Sequence, residues 1–188
     1  AVSNTSYDFG LLDDALRFAE QRNALDTPAI AIYYHCYRAL TNPDSPDFFQ
    51  NFKALVLRHG GLFPAEEIRD LYILAINFCI KRLNTGGRAY VQEAFGLYRT
   101  GIEQGILMEH GIVGRFAYKN TVALGLTLGQ ADWVHGFIEQ YKDALEPAHR
   151  DNFYRYNLAR YHFSEKQFGQ AMELLVQVGD SDLLLNLD

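Results

Sequence analysis

Apolar residues recur at intervals of three and four through most of this 188-residue chain, the period of a helix with one buried face. Leu12, Ala15, Leu16 and Ala19 mark a first helix over 11–22 that has no partner beside it in sequence. Thr27-Pro28 reads as an N-cap followed by proline at the first helical position, and Ile30, Tyr33, Tyr34 and Tyr37 continue that helix until "TNPDSP" breaks it. Ser45-Pro46 repeats the start signal, Phe48, Phe52, Leu55 and Val56 form the next stripe, and Gly60-Gly61 reads as its stop. The pattern predicts a helical hairpin over 27–60.

Three more hairpins follow. Pro64 opens a long helix carrying Ile68, Leu71, Tyr72, Ala75 and Phe78, "NTGG" ends it, and Ala94, Tyr98 and Gly101 align on the return helix, giving 64–104. A helix from about Ile112 to Leu128, the break "GQAD" and a helix from Asp132 to Leu145, closed by Glu146-Pro147, give 112–146. The stretch 148–178 contains "YNLARYHFSEKQFGQAMELL", two apolar runs around a polar break, and "DSDLLLNLD" looks like a capped helix starting at about 182. No Asn-Gly or Asp-Gly separates alternating runs, so strand signals are weak and the expected fold is all-α.

Comparing the chain with itself at a period of 34 aligns Leu124-Gly125 with Leu158-Ala159, a large residue followed by a small one. A small residue at that point lets the two helices of a hairpin approach, and Ala171 faces Ala159 across the break of the last hairpin. Leu158, Ala159, Phe168, Ala171, Leu175 and Val178 carry a pattern that resembles the tetratricopeptide repeat (TPR) family, although Arg155 and His162 stand where aromatics are usual. Leu124, Gly125 and Leu128 fit in the preceding hairpin, and Leu71, Leu74, Ala75, Phe78, Ala94, Tyr98 and Gly101 fit in the one before, with seven extra residues between its helices.

The resemblance implies a right-handed α-solenoid of antiparallel hairpins whose first helices line a concave groove. It implies that Arg69, Tyr72, Lys119, Phe153, Tyr156, Asn157 and Arg160 project into that groove. Tyrosine, asparagine and arginine are residue types that grip peptides, joining rigid contact area to hydrogen-bond donors. The expected function is a non-catalytic scaffold that binds a peptide or helix, mostly apolar with an acidic end. Two other readings stay open: a helical sensor or regulatory segment of a larger signalling or transcription-control protein, and an enzyme whose site the sequence does not display. A lone helix at one end and an incomplete one at the other suggest a fragment of a longer protein, in one TPR-like array over 1–188.

A formal net charge of −6 opposes a nucleic-acid or anionic-membrane partner, since polyanions select a basic face. No apolar run is long enough to span a bilayer and no leader is visible, which favours the cytoplasm among compartments left open. Cys36 and Cys79 lie inside apolar helical patterns and read as small core residues. No cofactor or metal is expected, because the six histidines form no H-E-x-x-H or H-x₃-H pair. "DFG" at 8–10 and "HRD" at 149–151 share spelling with kinase signatures but run in the wrong order, with no Gly-rich loop. Glu66-Glu67 reads as first-turn acids facing a helix dipole.

Overall fold

A computed structural model describes residues 11–179. Among them the chain is all-α apart from one two-stranded hairpin, and it divides into two compact units, Ala1–Ala75 and Ile76–Asp188. The helix expected from 182 and the "DFG" stretch lie outside the described residues.

The first unit contains α1 (Leu12–Gln21), α2 (Pro28–Thr41), α3 (Pro46–His59) and the opening of α4 (Ala65–Asn84). Both proline-led starts are where the sequence puts them, with Thr27 and Ser45 in extended backbone at the N-cap positions. α2 packs antiparallel on α3 through Ala31, Ile32, Cys36 and Ala39 on one side and Phe49, Phe52 and Val56 on the other.

The stripe expected on α2 is partly wrong, because Ile30 and Tyr33 are exposed while Ala31 and Ile32 are buried. "AIAIYYHCY" is apolar nearly all round, so its periodicity selects no face. The face that packs on α3 is the buried one, and the tyrosine hydroxyls find acceptors outside it: Tyr33 donates to Glu67 and Tyr34 to Glu20 of α1. Gly60 is not the expected stop, since its φ of −55° continues helically into a short 3-10 turn, Gly60–Leu62. A Cβ there would lie 2.6 Å from Ile68 Cδ1, so the glycine lets the end of α3 approach α4.

The second unit holds the rest of α4, then α5 (Tyr90–Glu103), β1 (Met108–Glu109), β2 (Ile112–Val113), α6 (Arg115–Thr127), α7 (Ala131–Tyr141), α8 (Arg150–Ser164) and α9 (Phe168–Leu175). Phe78 of α4 meets Tyr90 of α5 edge to face, and Ala94, Tyr98 and Gly101 are buried as expected. Further along, α5 packs on α6, α6 on α7, α7 on α8 and α8 on α9, while α6 also touches α8. Val113, Tyr118, Val122, Val134, Phe137 and Ile138 form the centre of this core. Tyr118 is fully buried and donates its hydroxyl to the Ile138 carbonyl at 3.2 Å.

The β-hairpin corrects the expectation that a helix begins at Ile112. Its two turn residues, His110 and Gly111, have φ of 51° and 78°, both positive as a type I′ turn requires. Histidine takes the place where asparagine or aspartate gives the familiar signal, and strands of two residues are too short to alternate.

Three of the helical breaks share one closure. Gly86 after α4, Gly129 after α6 and Lys166 after α8 all have positive φ. Each donates its N–H to the carbonyl three residues back, and the next N–H reaches the carbonyl five back: Gly87 to Arg82, Gln130 to Gly125 and Gln167 to His162. This is the Schellman closure. It places the last two breaks 37 residues apart (129 to 166) rather than at the 34 of the sequence comparison. Three residues advance a helix by about 300°, close to a full turn, so both registers bring similar faces into line.

Candidate functional site

Of the seven residues assigned to the groove, Arg69 and Tyr72 stand on α4 in the first unit, while Lys119, Phe153, Tyr156, Asn157 and Arg160 stand on α6 and α8 in the second. Three do not project to the surface. Tyr72 is 1% exposed, Phe153 3% and Asn157 0%. Phe153 belongs to the core that includes Tyr118 and Val122 of α6. Asn157 donates its side-chain amide to the Phe153 carbonyl one turn back at 2.8 Å, and its Oδ1 is buried without a partner among the described residues.

The reason lies in α8 itself, which packs on α6, α7 and α9. With three neighbouring helices, most of its circumference is used, and Phe153 and Asn157 share the inner arc. Tyr156 lies about 60° around the axis from Phe153 and stays half-buried, as do Arg160, Lys119 and Arg69. Arg160 carries its guanidinium 5.9 Å from the Tyr156 ring centre, so the two form one cation-π unit on α8. In the second unit the surface that remains from the expected site is therefore Lys119 on α6 with Tyr156 and Arg160 on α8.

Two further clusters carry chemistry that the motif search missed. Trp133, Phe137 and Tyr141 follow one another at four-residue steps on α7, with ring centres 5.2 and 5.0 Å apart. Phe95 meets Trp133 edge-on at 5.0 Å, and the Arg99 guanidinium lies 5.1 Å from the Trp133 ring. Beside this ladder, Glu103, Gly136 and Gln140 help line a pocket of about 190 Å³. The i, i+4, i+8 spacing was the available signal, but such spacing describes an ordinary core stripe equally well.

Tyr154 of α8 donates to Glu139 of α7 at 2.7 Å, and Lys142 adds a 3.5 Å contact to the same carboxylate. The Tyr154 hydrogen bond holds the Glu139 carboxyl below its ordinary range. Burial, and then the carboxylate, push the Tyr154 phenol up to about 12. Both cysteines are buried, and burial raises the Cys36 thiol to about 11, the direction of an inert core thiol.

Among the described residues, no three His, Cys, Asp or Glu side chains cluster as a metal set, and no helix is long and apolar enough to cross a membrane. No family model, curated protein or solved structure matches the chain.

Proposed function

We propose that this chain is a protein-interaction module, a divergent TPR-like array of helical hairpins stacked with right-handed twist, that grips a partner with the exposed side of its first helices. The observation that carries the reading is the repeated closure. Three successive first helices, α4, α6 and α8, end in the same pair of hydrogen bonds around a residue of positive φ. Repetition of one structural unit along a chain is how solenoids build extended binding surfaces. The contact of α6 with α8, one first helix against the next, supports the same stacking.

Lys119, Tyr156 and Arg160 then supply the grip in the second unit. Two cations and an aromatic face on a protein of net charge −6 suit an extended peptide or helix that is mostly apolar and ends in acidic residues. Affinity capture with the parent chain and with Lys119→Glu plus Arg160→Glu tests it. The double variant should lose captured partners at unchanged thermal stability. Capture that survives in the double variant overturns the assignment.

A further inference from the structure

The first unit holds a pocket of about 350 Å³ that the reading above does not use, within the size range of small-ligand sites. Four of its lining residues, Asn51, Ala54, Leu55 and Arg58, follow the i, i+3, i+4, i+7 line of one face of α3. That face is polar at one end, aliphatic in the middle and cationic at the other end. Leu25, Ala31 and His35 close the opposite wall, so the aliphatic stretch has walls on two sides, and among the described residues no acidic side chain lines the pocket.

Among the described residues these polar side chains make no hydrogen bond. Arg58 is exposed and makes no ion pair or hydrogen bond among the described residues, and the Asn51 amide makes none either. His35 packs its ring against Tyr34 and Phe48, with centres 5.2 and 6.2 Å apart, and its Nδ1 is buried without a hydrogen-bond partner among the described residues. Burial lowers its pKa, so the ring is neutral at pH 7. A buried N–H without a partner is rarer than a buried lone pair, which assigns the proton to Nε2. A guanidinium at one end and two hydrogen-bonding groups, Asn51 and His35, beyond the aliphatic stretch define a ligand with opposite features. From Asn51 to Arg58 the helix rises about 10.5 Å, a span that a flexible arginine shortens by reaching inward.

We propose that this pocket binds a short aliphatic carboxylate carrying an uncharged polar group at its far end. The carboxylate takes the fork of Arg58, the methylene chain lies over Ala54 and Leu55, and the distal group hydrogen-bonds to the Asn51 amide and accepts from His35 Nε2–H, since Nδ1 is shielded from the pocket.

The test is a titration of the ¹⁵N-labelled chain with 6-hydroxyhexanoate, hexanoate and 1-hexanol, read from amide shifts. The shifts should centre on Leu25, Ala31, Asn51 and Leu55, with affinity in the order given. Arg58→Ala should weaken 6-hydroxyhexanoate at least about tenfold at an unchanged circular dichroism melt. Asn51→Leu should abolish the advantage of 6-hydroxyhexanoate over hexanoate while hexanoate still binds. Equal binding of hexanol and hexanoate, shifts spread over both units, or full affinity in Arg58→Ala overturns the proposal.

Discussion

Gly125→Ala in α6 sets helix propensity directly against packing. An alanine there favours the helix by up to about 1 kcal/mol over glycine, so from sequence alone the substitution stabilises. The structure reverses the sign. A Cβ on Gly125 would come 2.5 Å from Val134 Cγ2 and 3.1 Å from Phe95 Cε2, and both side chains are buried in the core. A valine methyl sits one bond from its own Cβ and has a single preferred rotamer in a helix, so relief requires α7 to move rather than a side chain to swing.

Overpacking of this kind costs about 1–3 kcal/mol. After a propensity gain of up to about 1 kcal/mol the net loss is up to about 2 kcal/mol, or up to about 8 °C in melting temperature for a chain of this size. Thermal melts followed by circular dichroism should show that drop in Gly125→Ala alone. In a Val134→Ala background the same glycine substitution should cost much less or turn stabilising, because the nearest clashing methyl is gone. A parent background in which Gly125→Ala raises the melting temperature refutes the close approach of α6 and α7. A cycle with no coupling between the two positions refutes it equally.

The remaining predictions concern α8 and its neighbours. Ala159 and Ala171 are both buried where α8 packs on α9, so Ala171→Leu should cost about 1–3 kcal/mol; an unchanged melt would show that the two helices do not meet there. Tyr154→Phe should cost about 1 kcal/mol, the value of a part-buried hydrogen bond to a solvent-screened carboxylate. Glu139 has a lowered folded-state pKa, so its contribution is present above the ordinary carboxyl range and fades as pH falls through the folded value. Tyr154 is raised to about 12, so its share is full below the ordinary phenol value near 10 and fades as pH climbs towards 12. Melts from pH 3 to 11 should therefore show parent and variant converging at both extremes; a constant gap across the range removes the Tyr154–Glu139 bond from the account.

Much of the architecture was legible because its signals are local. Pro28 and Pro46 start helices, Gly86 and Gly129 end them, and Ile68, Leu71, Tyr72, Ala75 and Phe78 are buried together. What misled was information that requires a neighbour. The face buried by α2 depends on where α3 packs, and no period in "AIAIYYHCY" contains that. The groove positions depend on how many helices surround α8, which is why Tyr156 and Arg160 remain at the surface while Phe153 and Asn157 do not. The break after α8 was legible from its polar run, and only the closing residue is unexpected, since Lys166 at φ 62° holds the left-handed conformation that glycine adopts readily.

Each of the three closures after α4, α6 and α8 bonds only to carbonyls of the helix it ends. Such a joint is indifferent to the length of the segments on either side. Insertions and deletions elsewhere in a hairpin leave it intact provided they come in steps close to whole helical turns, which keep the apolar face inward. The interval from Gly86 to Gly129 is 43 residues and that from Gly129 to Lys166 is 37, and the longer one holds β1 and β2 between α5 and α6 rather than within a helix.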